Sequence, residues 1–78
     1  MIEELYIGKK LRVRSATPEK ADAKWLQVGD VVEVKGIYPH IILVERLKPV
    51  AKDGWKMRQC YGINTLDMFL EEVEKEHG

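Results

Sequence analysis

The fold is decided by Val28-Gly29-Asp30-Val31-Val32-Glu33-Val34-Lys35, a Gly-Asp turn that leads directly into alternating apolar and charged residues. Val32 and Val34 fall on one side of an extended chain, because successive side chains of a strand point to opposite faces. Glu33 and Lys35 fall on the other side. The segment therefore predicts a β-strand that turns one face toward a core and the other toward water.

A second strand follows, after a connection that contains Pro39. Residues 41–47 begin with four apolar side chains in succession, Ile41-Ile42-Leu43-Val44. Such a run predicts burial on both faces over the first half of the strand. Either a helix of the same chain or a partner subunit would then cover the second face.

Two further strands complete the predicted sheet. Leu11 and Val13 alternate with basic residues near the N-terminus. An Asp53-Gly54 turn introduces residues 55–63, in which one side is expected to carry Trp55, Met57, Gln59, Tyr61 and Ile63, and the other Lys56, Arg58 and Cys60. Strands joined by short turns are antiparallel, and a meander with one added strand closes into a small barrel.

Two helices are predicted around these strands. Thr17 can cap a short helix over 18–25, with Pro18 at its first position. Leu66, Phe69, Leu70 and Val73 recur at helical spacing, which predicts an amphipathic C-terminal helix over 65–76. The expected fold is mainly β (α+β), as one domain over 1–78 with a barrel at 5–63.

The overall composition restricts the protein class. The 78 residues carry 13 basic and 13 acidic side chains and one cysteine, so no internal disulfide can form. The N-terminus has no basic region followed by a long apolar stretch, and the longest apolar run has four residues. A cytoplasmic protein without a membrane segment is therefore predicted.

A resemblance to a known fold family rests on three features. Leu26-Gln27-Val28-Gly29-Asp30-Val31-Val32-Glu33-Val34, the Asp53-Gly54 turn before a strand with Tyr61, and a terminal segment with Phe69 resemble SH3-like barrels, including small phage and bacterial proteins. The resemblance spans about residues 26–73 and implies a small barrel. The chain lacks the tandem tryptophans of signalling SH3 domains, so recognition of Pro-rich peptides is not implied.

Residues that could carry catalysis are few. Cys60 is the only thiol, and His40 is the candidate base for a thiol enzyme, because a nucleophilic cysteine needs a neighbouring base. One cysteine and two distant histidines do not make a metal site, and no Gly-rich phosphate loop is present. No cofactor is predicted, and an inert thiol is the favoured interpretation.

A basic strand face is the strongest functional feature of the sequence. Lys10, Arg12 and Arg14 are expected on one face of the first strand, and Lys56 and Arg58 on one face of the fourth. Trp55 or Tyr38 would lie at the rim if these faces align. Basic surfaces with stacking aromatics bind single-stranded nucleic acid, although surface strands also carry Lys and Arg without any such role.

The sequence therefore favours a non-enzymatic module that docks on a macromolecule, with a protein as the expected partner. The resemblance adds the hypothesis of a phage- or mobile-element-type accessory or inhibitor protein. Nucleic-acid or nucleotide binding through the basic face is one alternative, and a thiol enzyme is another. A homodimer formed through the terminal helix or an edge strand also stays open.

Overall fold

The computed structural model describes residues 2–16 and 25–73. Five strands make one antiparallel sheet in the order β4-β3-β2-β1-β5, curled into a half-barrel. The elements are β1 (Lys10–Val13), β2 (Val31–Ile37), β3 (Ile41–Lys48), β4 (Arg58–Gly62), a one-turn 3₁₀ helix (Leu66–Met68) and β5 (Leu70–Glu72). The antiparallel meander predicted from the turn residues is therefore present.

The core takes one face of this sheet, as the alternating patterns predict. The buried hydrophobic residues of the first three strands are Leu11 and Val13 of β1, Val32 and Val34 of β2, and Ile42 and Val44 of β3. Leu26, Met57, Tyr61, Leu66 and Leu70 complete the buried cluster. The side chains between them on β1 and β2 face outward, so the predicted inner and outer faces of these two strands are confirmed.

Burial of β3 on both faces was a wrong prediction. Ile41 is 39% exposed and Leu43 is half-buried, whereas Ile42 and Val44 are fully buried. The strand therefore alternates like its neighbours despite its continuous apolar run. No helix of the described residues covers its outer face, and partial exposure of single apolar side chains is ordinary in folded proteins.

The predicted C-terminal helix over 65–76 is also wrong for the residues that the structure describes. Residues 66–68 form the 3₁₀ turn, and residues 70–72 form β5, which pairs with β1. The apolar spacing is real, because Leu66 and Leu70 are buried and Phe69 packs on the core. A helix would leave the backbone edge of β1 unpaired, so sheet pairing outweighs the local helical preference.

Other predicted boundaries differ as well. The fourth strand begins at Arg58 rather than at Trp55, whose N–H donates to Asp53 Oδ1 at 2.9 Å in a turn. The predicted helix over 18–25 lies outside the described residues except for Trp25, which is in a bend. None of the helices in the described ranges is long and apolar enough to cross a membrane.

Candidate functional site

The outer face of the sheet carries a row of charges that crosses four strands. Lys10 of β1 pairs with Glu33 of β2. Glu33 pairs with Glu45 of β3, and Glu45 pairs with Arg58 of β4. Two carboxylates therefore separate Lys10 from Arg58, which are three strand intervals or about 14 Å apart. The predicted basic residues do not form one continuous positive groove.

Glu45 is the centre of this row and is only 4% exposed. Arg58 Nε donates to Glu45 Oε1 at 2.9 Å, while Lys56 Nζ and Lys35 Nζ lie 3.9 Å and 4.0 Å from Glu45 Oε2. The Arg58 hydrogen bond, opposed by desolvation and supported by the Lys56 charge, holds the pKa of Glu45 below its ordinary value. Lys35 also contacts Glu33 at 3.1 Å.

The other predicted cations face the opposite end of the sheet. Arg12 Nε donates to Glu71 Oε2 of β5 at 2.8 Å. Arg14 Nη1 donates to the Asp67 carbonyl at 3.4 Å. Lys10 has no ion-pair partner among the described residues. The cations around β1 therefore form a separate group from Lys56 and Arg58.

The two rim aromatics lie at opposite ends of β3. Tyr38 is exposed in the β2–β3 turn, and its ring lies so close to Gly36 that a Cβ there would approach Tyr38 Cε2 to 2.8 Å. Trp55 is exposed in the loop before β4. The structure therefore does not bring Trp55 and Tyr38 to one binding surface.

Cys60 and His40 are also apart. Cys60 pairs with Leu43, whereas the His40 carbonyl accepts from the Ile63 N–H at 2.9 Å. Ile63 is three positions after Cys60, which is about 10 Å of extended chain. No hydrogen bond joins the two side chains, and no group of three His, Cys, Asp or Glu among the described residues could hold a metal ion.

One edge of β4 has no strand partner among the residues that the structure describes. The Met57 carbonyl accepts from Arg46 N–H, and Ile63 N–H donates to His40, so odd-numbered residues of this segment bond to β3. Alternate residues of an antiparallel strand point their polar groups to opposite edges. Arg58 and Cys60 therefore direct their N–H and C=O groups away from β3, where no described strand accepts them.

The opposite edge of the sheet, at β5, is partly covered by the N-terminal segment. Ile2 N–H donates to Asp67 Oδ1 at 2.8 Å. Lys9 Nζ lies 2.6 Å from Glu72 Oε1 and also contacts the Glu4 carbonyl. Ile2 and Leu5 pack against the core beside these contacts. Within residues 2–16 and 25–73, the N-terminal segment therefore contacts the β5 end of the sheet.

A pocket of about 170 Å³ runs along the open edge of β4. Its walls are Ser15, Ala16, Leu26, Gln59, Cys60, Tyr61, Gly62, Thr65 and Phe69. Four consecutive β4 residues line it, although their side chains alternate between the two faces. Only the edge of a strand presents consecutive residues to one space, so the pocket occupies the opening of the half-barrel beside β4.

The pocket has aromatic walls, and one of its lining residues, Gln59, carries an unpaired polar atom. The rings of Tyr61 and Phe69 lie 5.9 Å apart between centroids. Burial, with a smaller contribution from Asp30, raises the pKa of Tyr61 to about 12, so its phenol stays neutral at physiological pH. Gln59 Oε1 is buried and has no hydrogen-bond donor in the structure. Buried polar atoms without partners are uncommon in folded proteins.

Comparison with known proteins identifies no relative of this chain. No family model matches the chain, and no curated protein or solved structure shows significant similarity to it. The interpretation of the site therefore depends on its own residues.

The sequence predicts Gln59 on the inward side of the fourth strand and indicates no role for it. The signal was a polar residue in a series that otherwise reads Met57, Tyr61 and Ile63. Ser15, Ala16 and Thr65 had no comparable signal, because the sequence does not show which loops meet at the open edge.

Proposed function

We propose that this chain is a non-enzymatic binding module that docks on a protein by adding an extended segment of its partner to β4. The observation that carries the proposal is the backbone edge at Arg58 and Cys60, which has no strand partner in the described part of the chain. Strand addition to an exposed sheet edge supplies affinity through main-chain hydrogen bonds, and pockets beside the edge supply specificity. The pocket beside β4 fits this second requirement.

An SH3-like barrel is the fold that we propose for this module. Five short antiparallel strands, with β5 beside β1 and a single 3₁₀ turn before β5, support that assignment. The origin proposed from the resemblance, a phage- or mobile-element-type accessory or inhibitor protein in the cytoplasm, accompanies the fold assignment. A fold by itself does not determine function, so the binding proposal depends on the edge and the pocket.

The pairing of the charged residues favours a protein over a nucleic acid as partner. Arg12 and Arg58 each bond a carboxylate, and Glu33 and Glu45 lie between the two groups of cations. A single-stranded nucleic acid needs a continuous positive track for its phosphates. Carboxylates within that track would repel the phosphates, so the outer face is a poor nucleic-acid surface.

The edge is tested with peptides selected from a displayed random library on the unaltered chain. Hydrogen exchange is then measured with and without a selected peptide. We expect the amides of Arg58 and Cys60 to gain protection, because their N–H groups become donors to the added strand. Peptides that bind without protecting these amides would contradict strand addition.

A matched pair of variants gives a second test. Cys60→Pro removes the edge N–H while the β3–β4 hydrogen bonds stay, and Cys60→Ser keeps that N–H. We expect Cys60→Pro to lose peptide binding and Cys60→Ser to keep it, with circular dichroism checking that each variant folds. Light scattering on the free chain addresses self-association: a dimer abolished by Cys60→Pro would make a second copy the partner.

A further inference from the structure

We propose that the pocket beside β4 accepts one tyrosine side chain of the partner segment, with acidic residues next to that tyrosine. This inference rests on the proposed strand addition and names the chemistry of the segment that is added.

The size of the pocket fits one aromatic ring. Cavities of about 150 Å³ bind benzene, whereas sites for drug-sized molecules start at about 300 Å³. At about 170 Å³ the pocket is in the single-ring range. Leu26, Tyr61 and Phe69 supply apolar and aromatic surface to such a ring, and aromatic pairs are stabilised by tilted contacts of the kind that Tyr61 and Phe69 already make.

The unpaired acceptor favours a ring with a hydroxyl group over a purely apolar ring. Gln59 is a lining residue, and its Oε1 has no donor within the structure. A phenol brings an O–H donor at the end of an apolar ring, so it can fill the pocket and pair this oxygen after a small adjustment of the amide. A phenylalanine ring would fill the same space and leave the oxygen unpaired, which is unfavourable for a buried polar atom.

The position of the pocket connects it to the added strand. Residues of a strand paired with β4 alternate between the inner face and the outer face of the half-barrel. A tyrosine that points to the inner side reaches the pocket, and its two sequence neighbours then point to the outer face. The outer face next to them carries Lys56 and Arg58.

The charge of that outer face specifies the neighbours of the tyrosine. Lys35, Lys56 and Arg58 face the two carboxylates Glu33 and Glu45, and the two most exposed of these cations, Lys56 and Arg58, are on the β4 side of the group, so positive charge is in excess next to β4. Lys56 and Arg58 are both exposed and can contact a second carboxylate. Aspartate or glutamate on either side of the tyrosine complements this positive charge, whereas lysine or arginine at the same positions would be repelled by it.

The test uses p-cresol and toluene, which are the side-chain analogues of tyrosine and phenylalanine. Binding of each is followed by amide chemical shifts in the unaltered chain and in Gln59→Leu. We expect both rings to shift Tyr61, Gly62 and Phe69 in the unaltered chain. The ratio of toluene to p-cresol dissociation constants should fall by roughly five- to tenfold in Gln59→Leu, the value of one hydrogen bond.

Two control variants keep this result interpretable. Met68→Leu changes an exposed residue outside the pocket and should leave the ratio unchanged. Ala16→Leu fills the pocket and should abolish the shifts from both rings. An equal ratio in the unaltered chain and Gln59→Leu would overturn the role of Gln59, and the absence of shifts from either ring would overturn the pocket assignment.

Selected peptides separate this inference from the proposed function. We expect them to contain a tyrosine flanked by acidic residues, and a Tyr→Phe exchange in the peptide should weaken binding to the unaltered chain more than to Gln59→Leu. Peptides that protect the Arg58 and Cys60 amides but lack this pattern would refute the tyrosine inference and leave strand addition standing. If the rings bind the pocket but peptide binding is insensitive to Cys60→Pro, strand addition is refuted and the pocket assignment is kept.

Discussion

Arg58 Nε lies 2.9 Å from Glu45 Oε1 across the β3–β4 pair, and Glu45 is almost completely covered although it belongs to the outer face of the sheet. This contact joins the edge strand of the proposed binding surface to the interior of the sheet. It also fixes the guanidinium at the edge where a partner would be added. The position of Arg58 therefore contributes both to stability and to the proposed docking.

The first prediction concerns stability in acid. The pKa of Glu45 is lower in the folded chain than its ordinary value of 4.5, mainly through the Arg58 hydrogen bond. A lowered folded pKa stabilises the protein above pH 4.5, and this stabilisation is lost as pH falls through the folded pKa. We expect Glu45→Gln and Arg58→Met to reduce the difference in unfolding free energy between pH 7 and pH 3.

Urea unfolding at pH 7, 5 and 3 measures this difference. Lys52→Met is the control, because Lys52 is an exposed loop residue without an ion pair among the described residues. It should keep the pH dependence of the unaltered chain. If Glu45→Gln showed the same loss between pH 7 and pH 3 as the unaltered chain, the Glu45–Arg58 contact would have no role in acid stability.

The second prediction concerns alkaline pH. Burial raises the pKa of Tyr61 from 10.0 to about 12. A pKa that is raised in the folded state contributes to the free energy of unfolding below pH 10. This stabilisation disappears as pH rises from 10 to 12, because the unfolded chain loses the Tyr61 proton first. The two-unit difference corresponds to roughly 2–3 kcal/mol of unfolding free energy. Tyr61→Phe should remove most of this alkaline loss.

Chemical unfolding at pH 8, 10 and 11.5 tests the alkaline prediction, with Tyr38→Phe as the control at an exposed tyrosine. We expect Tyr38→Phe to follow the unaltered chain, and Tyr61→Phe to be more stable than the unaltered chain at pH 11.5 relative to pH 8. Parallel curves for all three proteins would mean that Tyr61 ionises as easily in the folded state as in the unfolded one.

The strands could be predicted from the sequence because their signals are local. Alternation at Val32-Glu33-Val34 and the turn glycines Gly29 and Gly54, which both have positive φ, follow from backbone geometry alone. β5 could not be predicted, since its spacing suits a helix equally well. Its strand conformation depends on residues that are distant in the sequence. The backbone edge of β1 pairs with β5, Arg12 pairs with Glu71, and Lys9 pairs with Glu72.

The candidate site was predictable only in part. The sequence identified Arg58 and Lys56 as exposed cations, but their carboxylate partner Glu45 lies on another strand and depends on register. The pocket combines the end of β1, the β4 edge and the residue before β5, so no single stretch of sequence contains it. Gln59 was visible as a polar residue in an apolar series, and only its missing partner gives that observation a meaning.

The third prediction concerns the tie between the N-terminal segment and β5. Lys9 is nearly buried, with Nζ 2.6 Å from Glu72 Oε1 and 5.7 Å from the centre of the Tyr6 ring, whereas the Glu72 side chain is 41% exposed. Glu72→Gln leaves a buried ammonium without its counter-charge, which is costly. Lys9→Met leaves a carboxylate that water can solvate. We expect Glu72→Gln to be the more destabilising change.

The neighbouring pair Arg12–Glu71 is the matched control for this asymmetry, because its two side chains are about equally exposed, at 42% and 39%. Replacing either member should lower the free energy of unfolding by less than about 1 kcal/mol, and the two losses should be similar. The double variant Lys9→Met/Glu72→Gln should return to the stability of Lys9→Met, since no buried charge then remains. Equal losses for Lys9→Met and Glu72→Gln in urea unfolding at pH 7 would show that Lys9 keeps its hydration in the folded chain and that Glu72 is not needed to compensate its charge.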